Sequence, residues 1–176
     1  MTASGCGIRV KDYGRLLAGD PAYAVRAARI AARTFDLAEW LAPGLDALAA
    51  RVATPAAAAR VAFHAPCTLQ HGQRIRGSVE SMLTALGAEL TPVRDAHLCC
   101  GSAGAYSLLE PGLSSQLRTR KLAGLAAGQP AVILSANVGC LAHLAAGTAL
   151  PVRHWIEWVD ERITPRRGGA VGEGLR

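Results

Sequence analysis

From residue 60 onward the chain alternates short apolar runs with stripes of helical period, and few folds accept that rhythm. Ala131-Val-Ile-Leu134 is the clearest run, continuously apolar and suited to a parallel strand covered on both faces. Val61-Ala-Phe63 reads as a short buried strand, Ala88–Val93 as another, and Pro151–His154 as an edge strand. Between them Ile75, Val79, Met82, Leu83 and Leu86 recur at helical spacing until Gly87, a C-cap residue. Leu113, Leu117, Leu122 and Leu125 form another helical face after Pro111, closed by Gly128. Short helices are expected over 141–146 and Trp155–Ile163. The pattern predicts an α/β fold over 61–163: a small parallel sheet with helices on both faces and right-handed crossovers.

The first 60 residues read differently. Residues 1–19 open with TASGCG and offer no complete element of their own. Asp20–Pro21 is a helix start, and Tyr23, Ala27, Ile30, Ala31, Thr34 and Leu41 keep helical spacing until Pro43–Gly44. Residues 45–60 are alanine-rich and read as a second short helix and a linker around Pro55. The Gly- and Arg-rich tail 164–176 is expected to be disordered.

Composition excludes several classes. Apolar residues make up 51% of the 176, but 35 of them are alanine, so the core rests on fewer large side chains than that figure suggests. No apolar run reaches the ~18 residues needed to span a bilayer, and no signal-peptide pattern opens the chain. The net charge of +6 dissolves on inspection: residues 61–163 hold 8 basic and 7 acidic groups. No aromatic residues interleave with a basic stripe, so nucleic-acid binding is not expected.

The five cysteines are Cys6, Cys67, Cys99, Cys100 and Cys140, an odd number that speaks against a secreted disulfide framework and for a reducing cytoplasm. Cys67, the doublet Cys99–Cys100 and Cys140 each fall just beyond the carboxyl end of an expected strand. In an open parallel sheet those ends share one edge, where ligands bind. A lone buried cysteine is ordinary core material; four that converge on one edge are a candidate metal site. Gly101, Gly104 and Gly139 flank them, and let backbone N–H groups approach a thiolate or an inorganic group. Cys140 falls near a helix N-terminus, which favours a thiolate. His143, three residues on, is either a further ligand or a helix-face histidine. His64, His71 and His97 read as hydrogen-bonding or packing residues, and Arg74 and Arg76 as either positive potential or surface charge.

The spacing Cys67–x31–Cys99-Cys100-Gly101–x38–Cys140-x-x-His143 resembles the cysteine-rich CCG domain of the heterodisulfide reductase and glycolate oxidase families. That family's pattern ends in Cys-x-x-Cys, so His143 stands where a cysteine is usual. The stretches HAPCTLQHGQRIRG, HLCCGSAGAYSLLEP and SANVGCLAHLAAGT, followed by PVRHWIEW, are similar to the iron–sulfur subunits of bacterial glycolate oxidases, over about residues 2–160. Such subunits carry two CCG repeats, and TASGCG at 2–7 aligns with SANVGC at 135–140, which makes Cys6 the last cysteine of a first repeat. The family's ferredoxin-type C-x2-C-x2-C-x3-C-P run is absent from this sequence.

The resemblance implies four segments: a first-repeat remnant at 1–19, a helical linker at 20–60, the CCG domain at 61–163 and the tail at 164–176. It implies the C-terminal portion of a longer subunit, from a truncated gene, a misplaced start or a split protein. Cys67, Cys99, Cys100 and Cys140, with His143, are then metal ligands for an iron–sulfur cluster, [4Fe–4S] or related. Gly101, Gly104 and Gly139 line it. The partner is a flavin-containing subunit that oxidises glycolate to glyoxylate, and electrons pass toward a quinone-type acceptor. This chain alone is not expected to be catalytic, and its place is the cytoplasm, at the inner face of the membrane through the complex. A structural zinc module and a non-metallated docking module are the two rival readings. Loss of a first repeat also predicts exposed apolar surface on the 21–41 helix.

Overall fold

The computed structural model describes residues 1–52 and 59–163. The expected tail at 164–176 and the linker around Pro55 lie outside the described residues. Ahead of the sheet stand α1 (Ser4–Lys11), α2 (Tyr13–Leu16), α3 (Ala24–Ala32), α4 (Leu37–Leu41) and α5 (Leu45–Ala49). Residues 1–19, expected to make no complete element, thus hold two helices. Helices this short are marginal alone, and α1 is stabilised from across the fold. Its first N–H groups donate to distant acceptors: Ser4 N to Ala136 O at 3.0 Å and Gly5 N to Asn137 Oδ1 at 3.1 Å.

The single helix expected over 21–41 is broken between α3 and α4. Asp36 is the reason. Its carboxylate accepts from Ala38 N at 3.0 Å while Glu39 Oε2 accepts from Asp36 N at 2.7 Å, a capping box that starts α4 afresh. Much of this region's apolar surface faces solvent, with Val25 73% and Trp40 69% exposed.

The sheet contains β1 (Arg60–His64), β2 (Glu89–Leu90), β3 (Val132–Ser135) and β4 (Val152–His154), all parallel, in the order β2-β1-β3-β4. Between them run α6 (Ser78–Ala85), α7 (Tyr106–Leu109), α8 (Pro111–Ala126) and α9 (Val138–Ala145), and α10 (Trp155–Asp160) follows. β2 is shorter than the run expected over 88–93.

Strand alternation sorts the core into two faces. Val61, Phe63, Val132 and Leu134 meet α6 and α10 through Val79, Met82, Leu83, Trp155 and Trp158. Ala62 and Ile133 face the other way, against Leu125 of α8 and Cys140 and Leu144 of α9. Helices therefore cover both faces, as the apolar strands require. The buried face of α8 keeps part of the leucine stripe expected, with Leu125 buried and Leu122 packed beside it, but Leu113 is exposed and Ser114, Lys121 and Gly124 also point inward. Ser114 and Lys121 turn toward polar groups at the sheet edge, and hydrophobicity alone could not place them.

β1 sits between β2 and β3, so the connection after β1 leaves on one face and that after β3 on the other. The two diverge beside the His64–Ser135 pair of the β1–β3 register and open a crevice there. Among the described residues, no helix is long and apolar enough to cross a membrane.

Candidate metal centre

Three loops bring sulfur to this crevice. Cys67 stands at the start of a single π turn, Thr68–Gly72, three residues after β1 ends at His64. Cys99 and Cys100 lie in the loop between β2 and α7. Cys140 is the third residue of α9, in its first turn. Cys100 and Cys140 are buried, and Cys67 and Cys99 are half-buried at the open side.

The sulfurs form one row of alternating protonation. The Cys99 sulfur, as acceptor of its hydrogen bond, pushes the Cys67 thiol far up, with burial adding to the effect. Hydrogen bonds from Cys100 and Cys67 hold Cys99 down to about 2, helped by the Gly101 N–H, which donates to its Sγ at 3.3 Å. Cys140 and Cys99 on either side push Cys100 far up. Its hydrogen bond to Cys140 lowers that thiol to about 5, together with the nearby His64 ring and Asn137 Nδ2 at 3.6 Å. Cys99 and Cys140 are thus the sulfurs drawn toward the thiolate, the form that binds metal.

The sequence reasoning missed two members of the site. His64 continues the Ala62 side of β1, so strand alternation turns it toward the face lined by Cys100 and Cys140. One of its ring nitrogens and those two sulfurs all lie within 4.8 Å of one another. His64 is 1% exposed, and among the described residues neither of its nitrogens has a hydrogen-bond partner. The two-residue period of β1 was the signal that could have found it. Lys121 is the second. Buried on α8, it donates from Nζ to Asp95 O and Ala96 O, each at 3.0 Å, and anchors the loop that leads to Cys99. Burial lowers its pKa, and Cys67, Cys100 and Cys99 oppose that shift.

Other expected residues take distinct places. His143 Nε2 lies 3.2 Å from Ser114 Oγ and 3.4 Å from Ser114 O. Ser114 Oγ donates in turn to Gly101 O at 2.8 Å, so His143 braces the glycine loop. Gly101 has φ +96°, and a Cβ there would fall 2.4 Å from Ser114 O. Gly104 has φ +63° with open space around it, and a Cβ at Gly139 would come 3.1 Å from Ser102 Oγ. Gln70 Nε2 ties the π turn to the doublet loop, donating to Ala65 O at 2.8 Å and Ala96 O at 3.1 Å. His71 Nε2 is 3.0 Å from His97 O, and Arg76 Nε donates to Gln70 O at 2.9 Å; these hold loops. Arg74 is exposed, as is Cys6, the third residue of α1.

The donor set fits a sulfur-rich metal group. Four sulfurs, two of them thiolate, suit iron–sulfur clusters or zinc, and an imidazole buried without a partner is the mark of a ligand whose metal is not counted.

Comparison with known proteins agrees with this chemistry. Residues 61–145 match the CCG cysteine-rich domain family. The chain is 47% identical over 164 residues to the glycolate oxidase iron-sulfur subunit of Escherichia coli K12, covering 93% of this chain and 39% of that protein. It is 28% identical over 172 residues to lactate utilization protein A of Geobacillus kaustophilus, covering 92% and 70%. A probable glycolate oxidase iron-sulfur subunit of Bacillus subtilis is 29% identical over 147 residues, with 82% and 32% covered. The chain thus spans about two fifths of the length of the Escherichia coli relative.

Proposed function

Since the chain belongs, through residues 61–145, to the cysteine-rich CCG family, we propose that it serves as an iron–sulfur electron-transfer subunit of a glycolate-oxidising complex. The observation that carries this reading is the meeting of four sulfurs and a partnerless imidazole at the switch point of the sheet. Cys67, Cys99, Cys100 and Cys140 would hold the group, [4Fe–4S] or a related cluster, which when bound stores and passes single electrons.

The chain's own residues set the conditions for that transfer. The pKa values of Cys99 and Cys140 are drawn down before metal arrives, which favours their ligation as thiolates. The Gly101 N–H and the Asn137 amide point at those two sulfurs, a pattern that tunes a thiolate-bound centre. Lys121 supplies a buried cation beside the thiolates. Burial of Cys100 and Cys140 keeps water from one side, and half-exposed Cys67 and Cys99 leave the other open for exchange with a partner. In this reading a flavin-containing subunit oxidises glycolate to glyoxylate, this chain accepts the electrons, and a quinone-type acceptor receives them at the cytoplasmic face of the membrane.

The test is anaerobic reduction of the reconstituted protein. Glycolate together with the flavin subunit from the same genome should bleach the visible iron–sulfur absorbance, and glycolate alone should not. A reconstituted centre that stays oxidised under both conditions contradicts the assignment.

A further inference from the structure

The family resemblance puts the non-cysteine donor at His143; the geometry points to His64 instead as the nitrogen ligand of the metal centre. This inference rests on the reading of the crevice as a metal site, and it does not depend on which metal is held. His64 is the last residue of β1, the strand between β2 and β3. Its backbone is fixed twice: by register with Ser135, and by Ser135 Oγ donating to His64 O at 3.0 Å. The ring consequently has a defined direction, onto the face that carries Cys100 and Cys140.

Both ring nitrogens are buried, and among the described residues neither has a well-formed hydrogen bond; the Cys140 sulfur is the one group the ring leans on. A buried imidazole in that state loses its solvation without return unless a further group occupies the crevice. The nearest candidates for coordination with it are the Cys100 and Cys140 sulfurs, all within 4.8 Å. His143 is in the opposite condition. Its Nε2 is engaged by Ser114, whose hydroxyl in turn holds Gly101 O. Pulling His143 into the metal would break that brace, whereas His64 would give up only its loose approach to Cys140, itself a ligand of the centre. His143 is therefore a positioning residue for the Gly101 loop, and the imidazole ligand comes from the strand rather than the helix.

The experiment uses cobalt(II) titrated anaerobically into the reduced, metal-free chain, with histidine carrying either 14N or 15N. Pulsed EPR of the cobalt protein should show a histidine nitrogen coupling that changes with the isotope. H143Q should keep that coupling. H64C, which offers a thiolate in the same place, should bind cobalt and lose it, and H64A should weaken cobalt binding by about tenfold or more. Circular dichroism checks that each variant is folded, and the isotope effect in the unaltered chain stands without any variant. Coupling that is lost in H143Q and kept in H64C overturns the inference, as does bound cobalt with no histidine coupling, or no cobalt binding at all. If cobalt binds with His64 coupling while reconstitution yields no iron and sulfide, His64 stands as ligand and the iron–sulfur reading falls.

Discussion

Asn137 joins Gly5 to the cysteine row: its Oδ1 accepts the Gly5 N–H at 3.1 Å while its Nδ2 points at Cys140 Sγ, 3.6 Å away. One side chain thus fastens α1 to the crevice and helps hold the Cys140 thiolate. N137A should lower stability by about 1 kcal/mol, the usual net worth of such a bond. It should also move the Cys140 titration upward from about 5. Urea unfolding and ultraviolet thiolate absorbance read the two effects separately.

The protonation pattern gives the metal-free protein a distinctive pH profile. Cys99 and Cys140 have folded pKa values near 2 and 5, below the thiol value of 9.0. Their contribution to stability is complete above pH 9 and is lost as pH falls, so between pH 5 and 9 the unfolded state binds more protons and stability rises with pH. Cys67 and Cys100 are pushed the other way, so above pH 9 the unfolded chain sheds their protons first and stability falls. Stability measured by urea unfolding across pH should peak near 9, and C140S should flatten the rising limb.

Gly101 and Gly104 separate a close contact from backbone strain. Both have positive φ, where a Cβ costs roughly 1–2 kcal/mol. At Gly104 nothing else is near, so G104A should cost about that much and leave metal uptake intact. At Gly101 the Cβ would also strike Ser114 O at 2.4 Å, beside His143. G101A should therefore lose several times more stability and the metal with it. Equal effects of the two on thermal unfolding and metal content would refute the contact.

Lys121 places a charge on the buried face of α8. K121M removes the donor to Asp95 O and Ala96 O and should destabilise the metal-free chain by about 1–2 kcal/mol. In the loaded protein, loss of a buried cation disfavours the more negative, reduced state. Redox titration should then find a lower midpoint potential than in the unaltered chain.

Much of this was legible in the chain, for reasons that are physical. Ala131–Leu134 and Val61–Phe63 announced central strands because both their faces are buried. Placing Cys67, Cys99, Cys100 and Cys140 past strand ends was enough to bring them together, since parallel strands share one carboxyl edge. What stayed hidden depends on contacts across the fold. α1 is held by Ala136 and Asn137, more than 130 residues away, and no local pattern encodes that. The restart at Asp36 was local, written in Asp36-Leu-Ala-Glu39, and was masked by an alanine-rich helical period. His64, Ser114 and Lys121 are polar residues in apolar settings, and their inward turn follows from what they face.

The central claim is that this crevice holds an iron–sulfur group, and counting iron and acid-labile sulfide per chain after anaerobic reconstitution tests it most directly. The account predicts iron and sulfide in about equal amounts, with an EPR signal on reduction, and loss of both in C140S. One zinc per chain with neither iron nor sulfide, or no metal at all with C140S unchanged, would contradict it.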